Sequence, residues 1–260
     1  SHRRSTLMGG DGGVFLGIER PDWGFAQPAS VRTSVYVVTG DNVNVAAGRI
    51  SFTLGMQGPC STQDTGCSST IVALATASKF VVQSGGCSRS VMECSHAVVL
   101  SVSLKLAPVG MLGAAAAGML SIDCSSKTFD KRANGYVRAE GAAALVVSSS
   151  LDGGSQAVAL CGSAVRQDGR SASLTAPNGQ AQQGLLIAAL RDAATSVDAL
   201  VLSEAHGTGT ALGDPTEAGS LAAVLAAGDH GLKEIPSTAS SRKDKENSSA
   251  NDKKAMDIDE

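Results

Sequence analysis

Cys67 is the first residue in this 260-residue chain whose setting suggests covalent chemistry. It lies in Gly58-Pro59-Cys60-Ser61-Thr62-Gln63-Asp64-Thr65-Gly66-Cys67-Ser68-Ser69-Thr70, between an extended run and the expected first turn of a helix. Unpaired N–H groups and the positive end of the helix dipole favour a thiolate there, which raises the nucleophilic fraction near neutral pH. Gly66, having no side chain, permits close backbone approach to whatever Cys67 attacks. Considered alone, a cysteine at a helix start is also an ordinary small core residue.

The second candidate is His206, in Glu204-Ala205-His206-Gly207-Thr208-Gly209-Thr210-Ala211-Leu212-Gly213-Asp214-Pro215. It follows an apolar run read as a strand and precedes a helix, the place where α/β proteins put their sites. An imidazole there can donate a hydrogen bond to a thioester oxygen or a developing enolate, and the hydroxyls of Thr208 and Thr210 can bind a polar ligand arm. A lone histidine can equally be structural. Cysteine and histidine so far apart in sequence form a site only if the fold brings them together.

The elements that would do so are read from periodicity. Gly12 to Ile18 predicts a buried strand, and Asp41 or Asn42 is placed to cap a helix through Val45 and Ile50 to Leu54, stopped by Gly55 and Gly58-Pro59. Cys60 to Thr65 is extended. Cys67 to Gln83 is helical, with Ile71, Leu74, Ala75 and Ser78 on one side and Gly85-Gly86 as its end. Ala97 to Leu106 and the end of Gly135 to Val147 read as further strands. A second series follows: a strand over Gln156 to Val165, a helix through Leu185 to Ala194, a strand over Ala199 to Ser203 and a helix from Pro215 to Ala226. Alternating strands and helices predict α/β layers around a largely parallel sheet. From Ser237 the chain turns polar and charged, a composition that cannot offset its ordering entropy by burial, so 237–260 is expected to be disordered.

Composition narrows the function classes. Hydrophobic residues make up 43% and charged ones 17%, enough for a real core, while aromatics are 3% and glycines number 30, so the interior must be built from small aliphatic side chains. The net charge of −3, with no basic cluster interleaved with aromatics, argues against nucleic acid or an anionic membrane as partner. The most apolar stretch, Val98 to Ile122, is interrupted by Lys105 and Pro108 and reads as strand, loop and helix, not as a membrane span. The six cysteines, Cys60, Cys67, Cys87, Cys94, Cys124 and Cys161, form no C-x-x-C pair and have no histidine at zinc-ligand spacing, so no metal site is expected and the thiols are expected to be reduced. The compartment stays open, with cytoplasm or plastid as the expectation.

The stretch Asp64-Thr65-Gly66-Cys67-Ser68-Ser69-Thr70, continuing to Ser78, resembles the active-site segment of β-ketoacyl synthases, in particular the ketosynthase domains of type I polyketide synthases. Glu204 to Leu221 is similar to their first histidine motif. The similarity extends through Asn44 to Pro59, Lys127 to Val147 and Gly162 to Leu190, far beyond a short motif match. It implies a thiolase-like five-layer α-β-α-β-α fold of two related halves: 1–155 as an N-terminal half whose start is missing, and 156–236 as the beginning of an incomplete second half. It also implies that Cys67 takes an acyl group from a phosphopantetheine thioester, that His206 assists loss of CO₂ from a malonyl-type extender, and that Thr208 and Thr210 bind the pantetheine arm. Glu217 matches a buried carboxylate of structural use near the site, and Gly66 stands where alanine is usual. No cofactor is expected to be bound; substrates would ride on acyl carrier protein, and a homodimer and other synthase domains are the expected partners.

The match has gaps. The family's second histidine, in a Lys-Ser-Asn-Ile-Gly-His segment, has no counterpart after the Pro215 helix, where Ser237, Thr238 and the charged tail stand; His2, His96 and His230 lack the right neighbours. Ala139 replaces a usual glycine, and Leu100-Ser101 replace a usual glycine pair. A decarboxylative condensing enzyme of polyketide or fatty-acid synthesis is therefore one expectation. A truncated, non-catalytic relative that binds carrier protein or synthase subunits is the other. Thiolases, which share the fold, are set aside because their second catalytic cysteine has no evident counterpart. An incomplete second half also leads to an expectation of marginal stability for the isolated monomer, with a sheet edge and apolar helix faces uncovered.

Overall fold

A computed structural model describes residues 4–20, 22–81, 94–149 and 158–233. Its centre is strand β1 (Gly13–Ile18), whose residues are buried on both faces, as a continuous apolar run in a parallel sheet must be. On one side β1 pairs in parallel with β2 (Cys60–Gln63), on the other with β3 (His96–Ser103), and β3 pairs antiparallel with β4 (Gly141–Ser148). The sheet order is β2-β1-β3-β4. Three single-turn helices, α1 (Arg4–Leu7), α2 (Trp23–Ala26) and α3 (Val37–Gly40), flank the longer α4 (Val43–Leu54) and α5 (Ser69–Phe80).

Strand alternation sends successive β1 side chains to opposite faces. Phe15 joins Ala73 and Ala77 of α5 with Ala97 and Val99 of β3, while Val14 and Leu16 join Ala47 of α4 and Met56. Alanines on both helices let the backbones approach the sheet closely, which suits the aromatic-poor composition. Gly55, at φ 74, supplies the left-handed end of α4 that the sequence predicted. Asn42 occupies the cap position, yet its side chain does not cap; its Nδ2 donates to the Val38 carbonyl at 2.8 Å. The helix predicted to run to Gln83 ends at Phe80, with the residues beyond Val81 outside the described ones.

After β3 comes α6 (Val109–Ala116), so Val98 to Ile122 is strand, loop and helix. β4 is a sheet edge with Leu145 and Val146 exposed, and Phe52 of α4 and Ile71 of α5 are exposed as well. An open groove of about 610 Å³ lies on the α4 face, lined by Leu16, Ile18, Ile50, Leu100 and Ala143 among others.

The second series departs from expectation. Of the strand expected over 156–165, residues 156 and 157 lie outside the described ones; 158–165 and 199–203 contain no strand, the first run having no ladder partners and the second beginning in a 3-10 turn, Val197–Ala199. A strand exists only through hydrogen bonds to a neighbour, and among the described residues the only sheet is the four-stranded one. Apolar runs are equally apolar with or without that neighbour. Helices α7 (Gly179–Asp192) and α8 (Gly213–Lys233) do form, and Leu190, Val197 and Val224 make a small core between them. Asn178 caps α7 with its side chain, accepting from Gln180 and Ala181. α8 runs further than predicted and breaks its helical dihedrals at Gly228. The largely parallel sheet is thus confined to the first series, and β4 makes it mixed. The polar tail, 237–260, and Cys87 lie outside the described residues.

Candidate active site

Cys67 sits one residue before the N-cap position of α5, at the end of a tight elbow after β2. The elbow is stapled by hydroxyls. Ser69, 3% exposed, accepts from the Thr65 N–H at 2.8 Å and donates to the Gly66 carbonyl at 2.6 Å. Ser68 Oγ donates to the Thr65 carbonyl at 3.0 Å, and the Gly66 N–H reaches Asp64 Oδ1 at 3.3 Å. Gly66 has φ 68, and a Cβ built on it would meet nothing within 4 Å. The left-handed backbone favours glycine here, and no atom of the chain itself crowds the position.

What seats the elbow is Gly17 of β1. A Cβ there would lie 2.5 Å from the Thr70 nitrogen and 2.6 Å from its Cα, so the first turn of α5 rests directly on the strand backbone. A glycine inside an apolar strand is a sign of such approach, and that signal was available in Gly17 itself.

His206 arrives from the other series on a loop held almost entirely by side-chain acceptors. Its backbone N–H donates to Glu217 Oε1 at 2.6 Å, and that of Gly207 donates to Oε2 at 2.9 Å. Asp214, 3% exposed in the first turn of α8, accepts from Gly209 at 3.0 Å and Thr210 at 3.3 Å through Oδ1 and from Phe129 at 2.7 Å through Oδ2. The Thr128 hydroxyl donates to the Gly207 carbonyl at 2.5 Å, and the Gly135 N–H donates to the Gly209 carbonyl at 2.9 Å. One loop of the first series, 127–135, is thereby tied to the histidine loop. Asp214 and Thr128 were not singled out from sequence. The Asp before Pro215 at a helix start was a visible cue for a capping carboxylate, though its partner Phe129 is in another segment.

These ties bring Cys67 and His206 close enough to act on each other's titration, and both residues are exposed to solvent. The hydrogen bond from His206 holds the thiol below its ordinary range, against desolvation, with the imidazole charge adding to the effect. Reciprocally, the same hydrogen bond raises the His206 pKa, desolvation opposes it, and the negative charges of the thiolate, Glu217 and Asp214 add to the rise. The pair can thus exist as thiolate and imidazolium, a nucleophile with a proton donor beside it. Cys67, Cys60, Cys94, Cys124 and Cys161 are all free thiols.

Thr208 and Thr210 are on the same loop, their hydroxyls 3.5 Å apart, and Thr210 Oγ1 also accepts from the Gly213 N–H at 3.1 Å. Glu217 is half-buried and faces the loop backbone. Glu19, beyond β1, is clamped by Arg138 at 2.7 Å and Lys105 at 3.5 Å, and its charge acts on Cys67 in the opposite sense to His206. No cluster of three or more metal-ligating side chains occurs among the described residues, and none of their helices is long and apolar enough to cross a membrane. The groove on the α4 face touches neither Cys67 nor His206.

Known proteins place this geometry in context. Residues 3–153 match the model of the β-ketoacyl synthase N-terminal domain, and residues 157–244 match that of the C-terminal domain. A phenolphthiocerol/phthiocerol polyketide synthase of Mycobacterium tuberculosis is 39% identical over 227 residues, 85% of this chain and 10% of that protein. Erythronolide synthase EryA3 of Saccharopolyspora erythraea is 37% identical over 232 residues, 87% of this chain and 7% of that protein. The chain thus spans about a tenth or less of these curated relatives. Among solved structures, a ketosynthase from module 6 of the bacillaene synthase of Bacillus subtilis 168 superposes with a TM-score of 0.73 at 31% identity, covering 86% of this chain and 38% of that one. An oxazolomycin ketosynthase domain from Streptomyces albus JA3453 gives 0.73 at 30% identity, covering 89% and 39%.

Proposed function

Because the chain belongs to the β-ketoacyl synthase family and has its thiolase-like α/β fold, we propose that Cys67 accepts an acyl group from a pantetheine thioester and passes it to a malonyl-type extender in polyketide or fatty-acid synthesis. The observation that carries this reading is the convergence of Cys67, on the elbow seated by Gly17, and His206, on the loop tied by Thr128, Asp214 and Glu217, close enough for each side chain to shift the titration of the other.

The Cys67 thiolate attacks the thioester carbonyl carbon, and the backbone N–H of Cys67, at the positive end of α5, stabilises the oxyanion. As the new C–S bond forms, the bond to the pantetheine sulfur breaks, and that sulfur leaves with the His206 proton. His206 is then neutral, and its N–H donates to the carbonyl oxygen of the incoming extender thioester. Loss of CO₂ leaves an enolate whose carbon attacks the Cys67 thioester, expelling Sγ as thiolate; one solvent proton restores the imidazolium. Thr208 and Thr210 bind the pantetheine arm, while Glu217 and Gly66 shape the loop and the elbow. Acyl carrier protein delivers both substrates, and a second copy and other synthase domains complete the assembly.

Incubation of the chain with an acyl-pantetheine thioester, followed by intact-mass and peptide mass spectrometry, tests the first step. One acyl adduct, mapped to Cys67 and absent in Cys67→Ala, is expected. No adduct on folded protein would overturn acyl uptake and favour the binding-only alternative.

A further inference from the structure

Phe129 is a bulky residue in the left-handed region, at φ 55, where such side chains are rarely found. Its surroundings fix it there. The Phe129 N–H donates to Asp214 at 2.7 Å, the carboxylate that also holds Gly209 and Thr210, and the neighbouring Thr128 hydroxyl donates to the Gly207 carbonyl. The ring lies against the histidine loop: a Cβ built on Gly207 would be 3.6 Å from Cε2 and 3.8 Å from Cζ. Yet the side chain is 52% exposed, so little core burial offsets the unfavourable backbone. An apolar ring is thereby held open to solvent against the residue that follows His206.

The geometry points to Phe129 as a specificity-determining residue, its ring forming the apolar wall against which the alkyl part of the thioester reaching Cys67 packs. This rests on the acyl-transfer reading above. Two parts of such a thioester are alkyl, the acyl chain and the dimethyl group of the pantetheine arm, and the test separates them.

Acylation rates of Cys67 are measured on the full chain with acetyl and octanoyl thioesters of both pantetheine and N-acetylcysteamine. Phe129→Gly removes the ring and relieves the left-handed backbone, Phe129→Asn removes it while tolerating positive φ, and Phe129→Leu keeps an apolar wall. In both ring-less variants one ratio should fall by about tenfold, the scale of a lost apolar contact in a substrate pocket. A fall in the octanoyl-to-acetyl ratio assigns the wall to the acyl chain; a fall in the pantetheine-to-N-acetylcysteamine ratio assigns it to the arm. Phe129→Leu should retain most of that preference, and alkylation of Cys67 by iodoacetamide should be unchanged throughout. Ratios unchanged in a folded ring-less variant overturn the wall alone; no adduct on the parent chain overturns both the wall and acyl transfer.

Discussion

The two series of the molecule bring one residue each to the same site by different physical means. Cys67 is placed by packing: β1 is buried on both faces, α5 presents Ala73 and Ala77, and Gly17 lets the helix start rest on the strand. His206 is placed by polar contacts: two carboxylates, Asp214 and Glu217, gather five backbone N–H groups from the histidine loop and from Phe129. Packing ties a residue to the stability of the whole sheet. Carboxylates on loop amides hold a residue locally, because such a loop can open without unfolding the core.

The sharpest way to break this contrast is Gly17→Val. Any Cβ at this position meets the backbone of Thr70, which cannot move aside as a flexible side chain would. The expected cost is about 3 kcal/mol, the upper range for overpacking, read as a lower denaturation midpoint with unchanged slope. A near-neutral result would show that the elbow is not seated by the strand. Asp214→Ala is the counterpart in the second series. It strips the acceptor from Gly209, Thr210 and Phe129, at about 2 kcal/mol if these groups stay partly shielded from water. Hydrogen exchange should accelerate at those three amides while β1 and β3 keep their protection. Equal acceleration in β1 would erase the distinction between the two series.

Gly66→Ala should cost less, about 1 kcal/mol, because the open space admits the methyl and only the left-handed backbone resists it. A matching Gly66→Asn variant, better suited to positive φ, should recover part of the loss. If alanine and asparagine behave alike in denaturant titration, the glycine is not there for its backbone freedom.

Legibility in the sequence follows the same division. A continuous apolar run located β1 at Gly13–Ile18 and helical patterns located α4 up to Gly55, α5, α7 and α8, because burial in this fold is written into the residues that are buried. Cys67 and His206 were found by residue type and motif. The runs 158–165 and 199–203 misled because a strand also requires a partner, which an apolar pattern does not encode. Gly17 and Asp214 carried local cues, a glycine inside an apolar strand and a carboxylate at a helix start, but their distant partners, Thr70 and Phe129, and the tie from Thr128 to Gly207 stayed hidden, because no spacing rule reports contacts to backbone atoms far away in sequence.

His206→Ala should leave global stability nearly unchanged, since the imidazole is exposed, and so isolates the coupling between the two series. Its effect should appear in the pH profile of Cys67 alkylation. Thiolate is the reactive form, and the His206 hydrogen bond is the leading cause that lowers the thiol pKa, so the parent stays reactive at lower pH than an ordinary cysteine. Removing the imidazole leaves desolvation and the Glu19 charge, both of which act upward, opposed only by the smaller backbone hydrogen bond. The midpoint should therefore rise and the rate at neutral pH fall. Glu19→Gln should move the midpoint the other way, because it removes a negative charge that disfavours the thiolate. Opposite shifts from two residues, one on each series, would show that the thiol is tuned jointly. A profile insensitive to His206 would mean that the helix start alone activates Cys67, and that the polar scaffold of the second series holds a histidine serving only the later step.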